Sequence, residues 1–343
     1  MMGLFSFLNI FSNDIAIDLG TANTLIWVKS RGIVVEEPSV VTWDNRLKKV
    51  IAIGREARSM EGKTPGEIRT IRPMRDGVID DDEIAEEMIR QFIRLVKNRT
   101  LAGRPKMVVC VPSGVTKSEK RIIRSAAENA GAREVNLVSE PMAAALGVGL
   151  PVDQSEGSMV VDIGGGTTEI AVISLSGIVS ENSIRTAGEK MNNAIMEFMR
   201  SEHKLSIGAK TAEQIKIQIG SAIELKQEDS MTIKGKDLIG GLPKEMVVHS
   251  EEVRKTLEPV INQIVQAVRS ALEKTPAELA SDIKDRGIVL TGGGALLRGL
   301  DEKLRNETNL PVSLADDPLT CVVRGTGKII EDMNRYYKVL LND

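Results

Sequence analysis

One arrangement of apolar and polar positions occurs twice in the chain. Residues 160–173 read VVDIGGGTTEIAVI: an apolar run, an aspartate, three glycines, two threonines and a second apolar run. Residues 14–28, DIAIDLGTANTLIWV, follow the same design, with Asp18, a Gly20-Thr21 turn, and Ala22, Asn23 and Thr24 before the next apolar run. Short apolar runs bounded by glycine predict buried strands, so each stretch is expected to be a β-hairpin. Two such hairpins predict two similar halves facing each other across one ligand.

Between them the periodicity changes. Ile84, Met88, Phe92, Leu95 and Val96 recur at helical spacing over 80–98, with acids at the start, where the helix dipole favours them. Residues 107–112 (MVVCVP) predict a buried strand, and Thr116 with Glu119 a capping box for a helix running to Gly131. At 135–146, VNLVSEPMAAAL, a strand leads into a helix with Pro141 at its first position. Ala143, Ala144 and Ala145 give that helix a thin face, to which Gly325 and Gly327 of a last helix, opened by Pro318, are expected to be apposed as at a hinge. Later in the chain, Gly188 starts a helix with Met191, Ile195, Phe198 and Met199 inward. Thr211 and Gln214 form a second capping-box pattern before Ile215, Ile219 and Ile223, and 253–272 predicts a long amphipathic helix kinked at Pro259. Short strands at 32–54 and 231–250 predict an insertion in each half.

Composition narrows the class. With 343 residues, 42% hydrophobic and 27% charged, the chain is long enough for two globular cores. A net charge of −3 argues against nucleic-acid binding driven by phosphate neutralisation. Cys110 and Cys321 lie in apolar stretches and predict free thiols. His203 and His249 lack metal-ligand spacing. Three of five phenylalanines, Phe5, Phe7 and Phe11, fall in residues 1–11, MMGLFSFLNIF. That segment is too short to span a bilayer and lacks signal-peptide features. On a helix, Leu4, Phe5, Leu8 and Phe11 would share a face, which predicts either a membrane-surface anchor or packing on its own domain.

The candidate chemistry sits at the glycine-rich turns. Gly164, Gly165 and Gly166 can turn sharply and aim N–H groups at an anion, with the Thr167 and Thr168 hydroxyls beside them. Asp162 at a strand end is suited to hold magnesium through its waters. Glu140 at another strand end either orients an attacking water or caps its helix. Glu213 and Lys216, three apart, either form a solvated pair or hold a ribose and flank a base. Gly292, Gly293 and Gly294 let backbone approach a flat ligand, though GGGALL does not match the dinucleotide fingerprint. A single such hairpin is a weak signal; the repetition favours a phosphate cradle.

The stretches DLGTAN, SEPMAAA, DIGGGTTE, LTGGGALL and the final GTG resemble the actin, Hsp70 and sugar-kinase ATPase superfamily. Longer strings, among them IRPMRDGVI, VCVPSGVT, GAREVNLVSEPMAAALGVGLP and GIVLTGGGALLRGL, resemble the MreB family of bacterial actins over nearly the whole chain. The resemblance implies an α/β actin-like ATPase fold, two similar ribonuclease H-like halves flanking a nucleotide cleft, each with a small insertion subdomain. The implied subdomains are a first core (1–32, 66–145 and 316–343), its insertion (33–65), a second core (146–181 and 243–315) and its insertion (182–242). ATP and Mg2+ are the implied cofactors. Thr21, Ala22 and Asn23 match the first phosphate loop, and Gly164, Gly165, Gly166 and Thr167 the second. Glu213, Gln214, Ile215 and Lys216 match the adenosine and ribose contact, and Gly292, Gly293, Gly294, Ala295 and Leu296 the adenine side. Asp18 and Asp162 match the magnesium-associated aspartates. Glu140 and Thr167 match the residues that position the hydrolytic water, and Asp162 is grouped with them as catalytic.

By the same resemblance the protein polymerises into paired protofilaments at the inner face of the cytoplasmic membrane and guides cell-wall synthesis to keep a rod shape. RodZ, MreC and MreD are the implied partners, nucleic acid is not, and residues 1–11, the Leu101 loop, or both touch the membrane. The chain departs from the family pattern where Ala187-Gly188-Glu189 and Asn192 replace a Gly-Gly-Asp and a following Asp, and where Trp27 replaces a common tyrosine. Division or plasmid-partition actins and small-molecule kinases are the rival readings. A chaperone of the Hsp70 type would need a peptide-binding domain, for which no room is expected past the last helix.

Overall fold

The computed structural model describes residues 14–97 and 104–341, so residues 1–11 and Leu101 lie outside the described residues. The chain divides into two compact units: one takes in the chain up to residue 155, residues 173–178 and the chain from 319, and the other 156–172 and 179–318.

The first unit begins with the expected hairpin, β1 (Ile15–Leu19) and β2 (Asn23–Val28), with Asp18 opposite Leu25. β3 (Gly32–Pro38) adds antiparallel to β2. A small sheet follows, built from β4 (Val41–Asp44), β5 (Lys49–Ile53), helix α1 (Gly54–Met60) and β6 (Ile68–Ile71), in the order β5-β4-β6. The ribbon β7 (Met74–Arg75) and β8 (Val78–Ile79) leads to α2 (Asp82–Lys97), on which Ile84, Met88 and Phe92 are buried as their spacing predicts. β9 (Lys106–Val111), α3 (Lys117–Asn129), β10 (Glu134–Ser139) and α4 (Glu140–Val148) complete a sheet of order β10-β9-β1-β2-β3. The expected capping box at Thr116 and Glu119 is present, and Gly131 follows α3 at φ 95°.

In the second unit β11 (Ser158–Ile163) and β12 (Thr168–Ser174) are buried along their whole length, as continuous apolar runs require. β13 (Gly177–Ile184), α5 (Gly188–Ser201), β14 (Leu205–Ser206) and α6 (Ala209–Ile219) follow. Next come β15 (Ser230–Asp237), β16 (Pro243–His249), α7 (Ser250–Glu273), α8 (Ala277–Arg286), β17 (Ile288–Thr291), α9 (Leu300–Thr308) and β18 (Val312–Leu314). The main sheet runs β13-β12-β11-β17-β18 and the small one β14-β15-β16. Val253, Leu257, Ile261, Ile264, Val265 and Val268 form the buried stripe of α7, which continues through Pro259. The last helix, α10 (Cys321–Glu331), belongs to the first unit.

The small-residue expectation for that helix holds. A Cβ added at Gly325 would land on the carbonyl of Ala143, and one at Gly147 on the carbonyl of Cys321, so the backbones of α4 and α10 touch. Gly327 makes room for the Trp27 ring, 2.6 Å from where its Cβ would lie, and the Trp27 indole N–H donates to Glu331 at 3.2 Å. Both cysteines are buried free thiols.

Local expectations needed correction in several places. The capping box at Thr211 and Gln214 is absent: α6 is capped three residues earlier, by Gly208 in extended conformation, which puts Thr211 inside the first turn, and Ile223 lies past the helix end. Ser139, not Glu140, holds the cap position of α4, so Glu140 is the first helical residue and Pro141 the second. The glycines after Thr291 form a short 3-10 turn, Gly293–Leu296, ahead of α9, and Pro318 starts another such turn, Pro318–Thr320, ahead of α10. Helix α1 went unforeseen because its seven residues open on a glycine at φ 63°.

Candidate functional site

In the first unit β1, β9 and β10 run parallel, with Asp18 beside Cys110, Cys110 beside Val138, and Val111 beside Ser139. Their carboxyl ends form one edge of the sheet. It carries Asp18 at the end of β1 and Glu140 one residue past β10, on strands about 10 Å apart at two strand spacings. The turn after Asp18 is tight, since a Cβ on Gly20 would lie 2.7 Å from the Asn23 carbonyl. Ser39 secures it: its hydroxyl donates to the Gly20 carbonyl (2.6 Å), its N–H donates to the Ala22 carbonyl (3.0 Å), and its oxygen lies 2.9 Å from the Thr24 hydroxyl. Thr21 Oγ1 accepts the Gly77 N–H at 3.3 Å. Asp18, Thr21 and Asn23 are thus gathered at one place by residues far along the chain; Ser39 lies in no motif, and the string IRPMRDGVI that contains Gly77 gave that glycine no role.

In the second unit Asp162 ends β11, 3% exposed, and is the register partner of Thr291 on β17. Its Oδ2 has no hydrogen-bond partner among the described residues. Burial pushes its carboxyl up to about 7, the Thr291 hydroxyl opposes the shift, and the charge of Glu169 adds to it. Glu169 is itself buried on β12 and accepts a hydrogen bond from the Ser183 hydroxyl at 2.8 Å. Gly292, at φ 80°, passes so close that a Cβ would strike Asp162 Oδ1 and the Ile163 carbonyl, and a Cβ on Gly294 would strike the Ile163 side chain.

The glycine turn itself closes by Gly164 N–H to the Thr167 carbonyl at 2.9 Å. The carbonyls of Gly164 and Gly165 accept the N–H groups of Gly188 (3.2 Å) and Glu189 (2.7 Å), which brings the start of α5 against the turn. Thr168 is structural, donating to the Thr186 carbonyl at 2.7 Å, whereas Thr167 caps the turn at 7% exposure. Lys216 donates to the Gly188 carbonyl at 3.1 Å, its pKa lowered by burial against the raising effect of Glu213 and Glu189.

These contacts divide the expected residues. Gly164, Gly165 and Lys216 are linked through the start of α5, Thr167 closes the same turn, the charge of Glu213 acts on Lys216, and Asp162 with Gly292 forms the adjoining strand ends. Of the intervening residues on α6, Gln214 points outward and Ile215 is wholly buried in the core. Ala295 is buried and Leu296 half-exposed. Glu189, Glu169 and Ser183 were missed. Glu189 had a signal as the acid in the departure from the family pattern and Glu169 as the last residue of DIGGGTTE, whereas Ser183 had none; Asn192, in the same departure as Glu189, has a buried Oδ1 without a hydrogen-bond partner among the described residues.

The donor chemistry suits a hard divalent cation bound mainly by water and phosphate. One carboxylate oxygen is buried without a protein partner, and no group of three or more His, Cys, Asp or Glu among the described residues could enclose a metal. Among the described residues no helix is long and apolar enough to cross a membrane.

The MreB/Mbl protein family model matches residues 12–338. The cell shape-determining protein MreB of Escherichia coli K12 is 52% identical over 330 residues, 95% of either chain, and the cell shape-determining protein Mbl of Bacillus subtilis 168 is 47% identical over 328 residues, 96% of this chain and 98% of its own. Among solved structures, MreB5 of Spiroplasma citri bound to ADP matches with a TM-score of 0.89 and 40% identity, covering 94% of this chain and 96% of that one. The same protein bound to AMPPNP gives 0.88 and 39%.

Proposed function

The chain belongs to the MreB/Mbl family and has its actin-like fold, and from that premise we propose that it is an ATP-binding, ATP-hydrolysing filament protein acting at the inner face of the cytoplasmic membrane to direct cell-wall synthesis and maintain rod shape. The observation that supports nucleotide binding most directly is the second glycine turn, with its partnerless Asp162 oxygen beside a glycine-lined strand end. Relatives support it too, since MreB5 was solved with ADP and with AMPPNP.

In this reading Thr21, Ala22 and Asn23 hold one side of the phosphates, and Gly164, Gly165, Gly166 and Thr167 the other. Asp18 and Asp162 take magnesium through its waters, and the ion, when bound, neutralises phosphate charge. Glu213 and Lys216 lie at the ribose and base, and Gly292 to Leu296 along the adenine. Glu140 and Thr167 orient the attacking water, so the chain's contribution is positioning and electrostatics without a covalent intermediate. Residues 33–65 and 182–242 are insertion subdomains on cores formed by the rest. The chain self-associates into paired protofilaments, touches the membrane through residues 1–11, the Leu101 loop or both, and works with RodZ, MreC and MreD.

Electron microscopy and co-pelleting with lipid vesicles, in ATP and in ADP and with residues 1–11 deleted, test this. Membrane-bound filaments that require ATP are expected. No filaments under any nucleotide, with ATP turnover stimulated by a small hydroxyl compound, would return the chain to the kinase reading. Glu140→Ala should slow hydrolysis while leaving ATP binding and assembly intact; loss of binding would remove Glu140 from its role.

A further inference from the structure

The small sheet of the first unit carries a turn at residues 44–49, DNRLKK, that is built from its root. Asp44 Oδ1 accepts the N–H groups of Arg46 (2.8 Å) and Leu47 (2.9 Å). The backbone and side-chain amides of Asn45 both donate to the Glu67 carbonyl (3.0 and 3.1 Å), and Arg69 donates to Asn45 Oδ1 at 2.7 Å. Lys48 adopts the left-handed conformation at φ 47°. This scaffold leaves Arg46, Leu47, Lys48 and Lys49 exposed together, Leu47 by 53%. Ile51, 42% exposed, is also on β5, at the bulge where the register with β4 shifts between Val50 and Ala52.

The charges divide in the same way. Arg55 pairs with Glu37 (3.6 Å), Lys63 donates to the Ser59 carbonyl (3.0 Å), and Arg72 pairs with Glu61 (3.7 Å). The side chains of Arg46, Lys48 and Lys49 make no ion pair among the described residues. On a chain of net charge −3, three uncompensated cations therefore surround a projecting leucine. Lysines on β5, an edge strand, would also discourage strand pairing, but that purpose needs neither Arg46 nor an exposed Leu47.

We propose that this turn is a contact for an anionic lipid surface, with Leu47 entering at headgroup level and Arg46, Lys48 and Lys49 meeting lipid phosphates. The combination suits an interface, where long cationic side chains lie along the boundary while an apolar tip inserts. A single-stranded nucleic acid would call for aromatic stacking, and no exposed aromatic belongs to the turn. The inference rests on the membrane-associated reading above and adds a contact distinct from residues 1–11 and Leu101.

The test is co-sedimentation of the full chain with phosphatidylcholine vesicles and with phosphatidylcholine–phosphatidylglycerol vesicles. Arg46→Gln/Lys48→Gln/Lys49→Gln is compared with a control of equal charge change, Lys210→Gln/Lys226→Gln/Lys274→Gln. The turn variant should lose anionic-vesicle binding by about tenfold to a hundredfold at low salt, the control less than about twofold, and the difference should shrink as salt rises. As a readout independent of any change in affinity, Leu47→Trp should be quenched by brominated phosphatidylglycerol beyond the wild-type level. Vesicle binding unaffected by the turn variant, equal loss in the control, or an unquenched Trp at position 47 overturns this inference alone. A turn variant that loses binding to an acidic peptide or to RNA but not to vesicles assigns the turn to another partner and also overturns it. Failure of the wild-type chain to bind any vesicle overturns the membrane-associated reading with it.

Discussion

The turn after Asp18 is held by hydroxyl contacts, the distant Ser39 donating to the Gly20 carbonyl and the turn's own Thr21 accepting the Gly77 N–H, whereas the turn after Asp162 is held by backbone, with Gly188 and Glu189 donating to the Gly164 and Gly165 carbonyls. The two stretches have one sequence design. What separates them is their neighbours: Asp162 adjoins a second glycine-rich strand end and a buried Glu169, and one of its oxygens lacks a hydrogen-bond partner among the described residues. A repeated motif thus specifies a repeated conformation, while the electrostatics of each copy are set by what packs against it.

Gly292→Ala should break the second hairpin most severely. Its Cβ would strike Asp162 and the Ile163 carbonyl at a positive φ, so a loss of about 3 kcal/mol or more in urea unfolding is expected, with AMPPNP binding at least about a hundredfold weaker by calorimetry. Gly20→Ala, at a turn without positive φ, should cost less; an equal cost would erase the contrast.

Asp162→Asn sharpens the electrostatic difference. With its carboxyl raised from 3.8 to about 7, the folded protein keeps a proton that the unfolded chain releases, so stability is fully present below about pH 4 and declines as pH rises towards 7. The total is on the order of 4 kcal/mol. The asparagine variant should flatten that decline and be more stable than wild type at pH 8 in the absence of nucleotide. A parallel pH profile for the two proteins would show that Asp162 ionises normally.

Smaller effects probe the supports. Ser39→Ala removes the hydroxyl that holds the Gly20 carbonyl and should cost ~1–2 kcal/mol, read as a lower urea midpoint. Ser183→Ala, which removes the donor to Glu169, should cost ~1 kcal/mol at neutral pH in the same assay. A larger loss from Ser183 than from Ser39 would reverse the assignment of side-chain support to the first turn.

Local pattern by itself determined the two hairpins, the helices of 82–97 and 117–129, the stripe of α7 and the small-residue crossing of α4 with α10. These depend on period, caps and the absence of side chains, all of which are properties of neighbouring residues in the sequence. The family resemblance likewise named the glycine turns and Glu140. Only the tertiary structure decided which polar groups stand beside them. Ser39 and Ser183 sit outside every motif, and Gly77 and Glu169 lie within quoted strings that gave them no role; tertiary packing, not motif, brings Ser39 and Gly77 to the first turn and Ser183 to Glu169. It also divided residues 213–216 between the outside of α6 and the core, because a helix turns consecutive positions to different faces. The ionisation of Asp162 lies at the same remove from sequence. An aspartate in an apolar strand can be charged or neutral, and burial beside another carboxylate, set by strands distant in the chain, decides between the two.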